Sequence, residues 1–292
     1  MISKHLYVLL FFSLMVSSYA SAGNTESKTG IGFSAGISNY IGDLDDNFVP
    51  RFSTPGVGLH LIHSFSPVIS FRVAYYRGWL KASDAEGVIN NMQARNLSFK
   101  TNIDELSGLL RLKLASIKLR RSKFALIEPY IFGGVGFFHF NPKSKYNDTW
   151  YELHPLGTEG QYLSYGNNPD PYSLYQWAIP FGAGVEKSLN SHWVIGVEIG
   201  LRKLFTDYLD DVSWNYPDQI QIALEMGPVA AALSDPSNRS QYPEGRSRYL
   251  RGNPERKDWY SYSNFHITYY FSSAKRKYGR RNLLANYNRC PK

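Results

Sequence analysis

The sequence predicts an all-β fold, an eight-stranded antiparallel outer-membrane β-barrel with long extracellular loops and a short periplasmic C-terminal tail. Three observations predict it. Eight segments alternate apolar and polar residues with period two, which places successive side chains on opposite faces of a strand. The connectors between them alternate long and short, the loop asymmetry of outer-membrane barrels. Aromatic residues gather at segment ends, where two membrane interfaces would lie: Trp79, Trp177, Trp193, Tyr269 and Phe271. A soluble sandwich alternates as well, and the connectors and the aromatic placement are what favour the barrel.

Residues 1–22 read as a secretory leader. Lys4 opens a polar start, 6–16 is an apolar run, and Ala20-Ser21-Ala22 supplies a small-x-small cleavage site. The run is short of the ~18 apolar residues of a membrane-spanning helix, and no later stretch reaches that length. The expected organisation is a leader at 1–22, a barrel domain at 23–271 and a basic periplasmic tail at 272–292.

The eight segments follow in order: 31–37, 57–63, 69–79, 105–114, 127–138, 177–187, 193–202 and 265–271. The clearest is 193–202, with Trp193, Ile195, Val197, Ile199 and Leu201 on one face and Gly196, Glu198, Gly200 and Arg202 on the other. In 177–187, Trp177, Ile179, Phe181 and Val185 oppose Gly182, Gly184 and Glu186; in 69–79, Phe71, Val73, Tyr75 and Trp79 oppose Arg72, Ala74, Tyr76 and Gly78. In 105–114, Leu106, Leu110, Leu112 and Leu114 oppose Glu105, Ser107, Arg111 and Lys113. The segment 127–138 is the least regular, and its facing is left open. The long connectors are 43–54, 81–101, 141–174 and 206–258; the short ones are 66–68, a basic link at 118–123 and 189–192. An even strand number puts both ends of the barrel in the periplasm. A short helix at 226–233 is expected over the mouth.

Eight strands enclose an interior that side chains fill. The inward charges Arg72, Arg111, Lys113, Glu186, Glu198 and Arg202, with Glu105 nearer the outer end, must pair, because an unpaired buried charge is costly. A plugged barrel is therefore expected rather than a diffusion pore.

The net charge of +8 invites a nucleic-acid reading that its distribution removes. Seven of the excess positive charges lie in 272–292, which has no acid, and Lys4 is in the leader, so the body between them is neutral. The tail is the candidate partner-binding segment. Lys275, Arg276, Lys277, Arg280 and Arg281 suit anionic headgroups or an acidic partner, and Leu283, Leu284 and Tyr287 add apolar contact. Cys290 is the sole cysteine, which excludes an intramolecular disulfide and leaves an intermolecular one or an inert thiol.

Chemistry finds little support. His266 and Ser263 lie three apart on one strand, hence on opposite faces, as do His60 and His63. Gly133, Gly134 and Gly136 precede no helix and form no phosphate loop. The acid clusters Asp43, Asp45, Asp46 and Asp207, Asp210, Asp211 match no calcium-loop spacing, and solvated surface or loop-to-loop hydrogen bonding is favoured over a cation. No cofactor, metal or small-molecule substrate is expected, and no enzyme activity; a lipid-modifying enzyme is the least favoured class.

Four motifs carry a resemblance. Ser38-Asn39-Tyr40-Ile41-Gly42-Asp43-Leu44 closes the first strand, and Glu128-Pro129-Tyr130-Ile131-Phe132-Gly133-Gly134-Val135-Gly136 forms the fifth. Phe205-Thr206-Asp207-Tyr208-Leu209-Asp210-Asp211-Val212 leaves the seventh, and Arg251-Gly252-Asn253-Pro254 with Lys257-Asp258-Trp259-Tyr260 leads into the eighth. Together with the Cys290-Pro291-Lys292 ending they resemble the PorG-like family of outer-membrane barrels (DUF6089) over nearly all of the mature chain. The resemblance implies a component of the type IX secretion and gliding machinery that associates with a periplasmic lipoprotein ring of the PorK/PorN or GldK/GldN type. A second reading is a surface-binding barrel of the OmpX/Ail type that uses its long loops.

Overall fold

The structure is a computed structural model and describes residues 27–45, 52–86, 95–114, 117–118, 126–166, 168–237 and 249–271. Its strands are β1 (Lys28–Ile41), β2 (Thr54–Ser64), β3 (Ile69–Ser83), β4 (Ser98–Lys113), β5 (Ile117–Lys118), β6 (Leu126–Phe140), β7 (Lys143–Tyr146), β8 (Thr149–Glu152), β9 (Tyr175–Ser188), β10 (Trp193–Leu204) and β11 (Trp259–Tyr270). Two short helices, α1 (Gln219–Glu225) and α2 (Pro228–Ser234), lie between β10 and β11. The leader and the tail fall outside the described residues, among them Lys275, Arg276, Lys277, Arg280, Arg281, Leu283, Leu284, Tyr287 and Cys290.

Eight strands close an antiparallel barrel in the order β6, β9, β10, β11, β1, β2, β3, β4, and β4 pairs back with β6. The first and last strands meet from Gly30 opposite Tyr270 to Ile41 opposite Trp259. The ladder between β4 and β6 runs from Ile103 opposite Phe140 to Lys113 opposite Tyr130. Closure leaves no free edge in the barrel wall, so the backbone groups of the wall pair with each other, as a spanning sheet requires. Each of the eight predicted segments falls on one barrel strand, with Leu114 and Phe271 one residue past the ends of β4 and β11. The segment 127–138, whose facing the sequence leaves open, resolves with Tyr130, Phe132 and Phe138 inward and Ile131, Val135 and Phe137 outward.

The outward residues form an apolar belt. Phe33, Leu59, Leu61, Val73, Leu106, Val135, Ile199 and Phe265 are all exposed large hydrophobics. A girdle this extensive has no counterpart on a monomeric soluble surface and matches a lipid-facing wall. Trp79, Trp177 and Trp193 stand outward near strand ends, the last in edge contact with Tyr269 at 4.9 Å between ring centroids. Among the described residues no helix is long and apolar enough to cross a membrane.

Inside, the inward charges pair with one another. Arg72 binds Glu198 with 2.7 and 3.0 Å hydrogen bonds, and Tyr130 donates to the same carboxylate at 2.9 Å. Arg111 meets Glu186 at 2.6 Å, and Lys113 bridges Glu186 at 2.6 Å and Glu128 at 2.8 Å. Arg202 approaches Glu105 at 3.4 Å, while Tyr260 donates to Glu105 at 2.5 Å. His60 and His266 complete this layer, 6.2 Å apart between ring centroids. A gap in this plug, lined by Arg72, Glu105, Glu198, Arg202 and His266, measures about 20 Å³. That is room for a water molecule, not a channel.

Above this layer the pattern of polarity inverts. At the loop end Tyr40, Leu80, Phe99, Ile103, Phe138, Phe140, Leu204 and Tyr260 are buried inside one apolar cluster. The alternate positions Lys81, Asn102 and Lys203 face out. Lipid selects apolar groups outside at the lower level; water selects polar groups outside at the upper one. The strands therefore run further than the alternating segments suggest, and the 81–101 connector shrinks because β3 continues to Ser83 and β4 starts at Ser98.

Two further corrections concern the loops. The connector 141–174 contains the hairpin β7–β8, which extends the sheet through the pair Lys100–Lys143. Its two-residue turn has positive φ at Asn147 (46°) and Asp148 (63°), the twist that a tight hairpin needs. The mouth helix begins at Pro228 rather than at position 226, because Gly227 (φ 93°) breaks the chain between α1 and α2. Ala230, Ala231, Leu233 and Ser234 of α2 are buried.

Candidate functional site

The side chains that join the four long connectors come together over the loop end of the barrel. Tyr40, an inward residue near the end of β1, is the centre. Its hydroxyl lies 2.5 Å from Asp210 Oδ2 and 3.0 Å from Asp258 Oδ1. Each carboxyl is fixed from its other oxygen: Val212 N donates to Asp210 Oδ1 at 2.9 Å, and Leu209 N to Asp258 Oδ2 at 2.9 Å. Asp43, just past β1, accepts from Asn253 N at 2.7 Å. Two glycines permit this approach. A Cβ on Gly42 would collide with both Asp258 Oδ1 and the Tyr40 hydroxyl, and one on Gly252 would lie 2.5 Å from Asp43 Oδ2.

Two arginines clamp the connectors together. Arg95 grips Asp84 with bonds of 2.7 and 2.8 Å and reaches the carbonyl oxygens of Arg251 at 2.8 Å and Asp43 at 2.9 Å. Arg251 donates to Glu159 at 3.1 Å and to Ser234 O at 3.1 Å, and lies 3.6 Å from the Asp211 carboxylate. Glu159 also accepts from Ser213 N and Trp214 N at 2.9 and 3.0 Å. Asp211 (φ 68°) takes hydrogen bonds from Tyr172 at 2.7 Å and from Thr158. Tyr208 stacks on Tyr172 at 4.6 Å.

Asp207 differs from its neighbours. It is buried, and its carboxylate oxygens make no well-formed hydrogen bond, although the Ser213 side chain lies near enough to favour the charged form. Burial pushes its carboxyl up to about 7, with the negative charge of Asp43 adding to the effect. Asp210 and Asp258 are raised well above the ordinary carboxyl range, first by burial and then by neighbouring carboxylates, Asp258 acting on Asp210 and Asp207 on Asp258. Burial likewise raises Asp43, Glu159 and Asp211, in the last two against the pull of Arg251.

Tyr40, Gly42, Asp43, Asp207, Tyr208, Asp210, Asp211, Gly252, Asn253 and Asp258 thus assemble at one junction, although separate stretches of sequence supply it. Asn39 pairs instead with Ser53, whose hydroxyl donates to its side-chain oxygen at 2.8 Å. Trp259 departs from the group: it faces out of the barrel, in edge contact with Phe181 at 6.0 Å. Of the two acid clusters, Asp43, Asp210 and Asp211 accept hydrogen bonds from other segments, and Asp46 lies outside the described residues. Among the described residues no group of three His, Cys, Asp or Glu side chains is arranged to hold a metal ion. Sequence reasoning missed Arg95 and Glu159, and it named Arg251 only as the first residue of the Arg251-Gly252-Asn253-Pro254 motif, without a clamping role.

The family described as a domain of unknown function, DUF6089, matches residues 4–232. No curated protein matches the chain. Among solved structures, the chain is similar to Ail, the attachment invasion locus protein of Yersinia pestis, in complex with the heparin analogue sucrose octasulfate, at 10% identity and TM-score 0.39, covering 84% of this chain and 99% of that one. Neisserial surface protein A is similar at 6% identity and TM-score 0.41, with 84% and 99% covered. A major outer membrane protein of Thermus thermophilus is similar at 11% identity and TM-score 0.39, with 84% and 100% covered.

Proposed function

The chain belongs to the DUF6089 family, and from that premise we propose that it is a non-enzymatic barrel of the bacterial outer membrane that docks the periplasmic lipoprotein ring of the type IX secretion and gliding machinery. The observation that carries the scaffold reading is the sealed barrel. Paired charges fill its interior and hydrogen-bonded connectors cover its loop end, which leaves no open channel among the described residues. The ring assignment rests on the ordered motifs shared with PorG-like barrels. In this reading the capped end faces outward, and both barrel ends and the basic segment 272–292 face the periplasm.

Affinity purification of the full chain from detergent-solubilised membranes tests it. Recovery of a ring lipoprotein, lost on deletion of 272–292, is the expected result. Recovery of no ring component from intact chain counts against the assignment.

One observation favours a second reading, a surface-binding barrel. Ile220, Leu224, Tyr165, Tyr249 and Leu250 are strongly exposed on the cap. Replacing Ile220 and Leu224 by Ser leaves ring recovery unchanged under the first reading and abolishes surface-ligand adhesion under the second.

A further inference from the structure

The junction at Tyr40 poses a problem of proton count. A phenol has one proton to donate. Two carboxyl oxygens, Asp210 Oδ2 at 2.5 Å and Asp258 Oδ1 at 3.0 Å, stand at hydrogen-bond distance from it. One O–H can serve both only as a weakened three-centre bond; two full hydrogen bonds require one carboxyl to be protonated and to donate to the phenol oxygen. Were both ionised, two buried negative charges would face one oxygen lone pair in a site from which water is excluded, an arrangement that burial strongly disfavours.

The surroundings offset that charge only in part. Asp258 and Asp43 bear most strongly on Asp210; Asp207 and Asp43 bear on Asp258. From the second connector Arg95 attracts Asp210, but its hydrogen bonds go to Asp84 and to two carbonyl oxygens. Arg256 acts on Asp43, and Lys257 acts on Asp207 while donating to Pro254 O. From the third connector Glu159 adds a further acid facing Asp207, itself turned toward Arg251.

We propose that the Tyr40–Asp210–Asp258 junction holds a shared proton, and that the cap is a proton-operated latch: locked in acid, loosened as the pH rises. The two carboxyls come from opposite ends of the 205–258 connector and the phenol from β1, so losing the proton sets the connector's two ends against each other and against the strand. The direction follows from the raised carboxyls. The unfolded cap releases their protons near the ordinary carboxyl range, about 4, and the closed cap retains them to higher pH. The closed state is thus favoured fully below about pH 4, and the advantage declines as the pH rises. Asp207 contributes in the same sense, its share being spent by about pH 7.

Hydrogen exchange at Leu209 and Val212 reads the latch directly, since their amides donate to Asp258 and Asp210. With the full chain in micelles, and after correction for intrinsic exchange, protection should fall by up to about tenfold per pH unit for each proton released. Asp210→Asn places a permanently neutral donor at the junction and should flatten the dependence while the barrel stays folded; Tyr40→Phe should lower protection at every pH. Infrared difference spectra of the native chain against Asp210→Asn and Asp258→Asn supply a second measurement. The carbonyl stretch of a protonated carboxylic acid should be present at neutral pH and absent from at least one variant. Flat protection in the native chain, or no acid carbonyl band, overturns the proposal. So does protection at pH 8 that calcium chloride alone restores and Asp258→Asn abolishes, which would make the junction a cation site.

Discussion

Arg72 and Glu198 face each other across the barrel interior, the side chains only 6% and 3% exposed. Two charges removed from water are held by their mutual hydrogen bonds and by Tyr130, so the pair is sensitive to loss of one member and tolerant of loss of both. Glu198→Leu should cost about 3–5 kcal/mol in urea unfolding from lipid vesicles, because Arg72 is left buried and unpaired. The double variant Arg72→Met/Glu198→Leu should recover most of that, short of about 1 kcal/mol for the orphaned Tyr130 hydroxyl. A double variant as damaged as the single one would mean that specific packing, not charge, dominates there. Alternation in the sequence shows which charges point inward; it carries no information on which strand faces which across the lumen. His60 and His266 belong to the same layer, and spacing along the chain shows only that neither shares a face with His63 or Ser263 three residues away, not that they fill the interior together. Arg95, Glu159 and Arg251 lie in connectors with no periodicity for a buried charge to interrupt.

Elements are legible in proportion to how far lipid shapes them. Each barrel strand shows itself where outside is apolar and inside polar, as at Val197, Glu198 and Ile199. It fades where the rule reverses, at Leu80 and Lys81 or at Lys203 and Leu204. The hairpin β7–β8 lies wholly above the membrane level and reads Lys-Ser-Lys-Tyr and Thr-Trp-Tyr-Glu, with no apolar face to mark it. Helix α2 is expected from its small apolar run, and the preceding α1 is not, because its exposed Ile220 and Leu224 contradict the pattern of a packed helix. The role of α2 as a plank of the cap can be tested. Leu233 lies buried in the main apolar cluster, so Leu233→Ala should cost the cap about 2–5 kcal/mol. Limited proteolysis should then cut within 205–258 while the barrel keeps its heat-modifiable mobility on a gel. Loss of barrel mobility as well would show that cap and barrel unfold as one unit.

For the whole molecule, the sealed interior and the apolar belt make separable predictions. Reconstituted in planar bilayers, the chain should give no steady conductance steps; regular ohmic steps would contradict the plug. Val197 sits mid-strand on the outer wall, half exposed, in a position that lipid would cover. Val197→Arg should destabilise the barrel in bilayers by about 2–4 kcal/mol, whereas a solvent-facing wall would accept the arginine at almost no cost.

The Tyr40–Asp258 contact also bears on how the molecule is assembled. Its partners are 218 residues apart, and they flank the seam where the first strand meets the last, at the pair Ile41–Trp259. Bringing such distant segments together is the slowest and entropically most demanding event of folding. The contact cannot form until β11 has zipped onto β1, so completion of the barrel and locking of its lid are a single late step. A chain stalled before that step would keep both an open sheet edge and an unlatched cap, two marks by which an unfinished copy differs from a finished one.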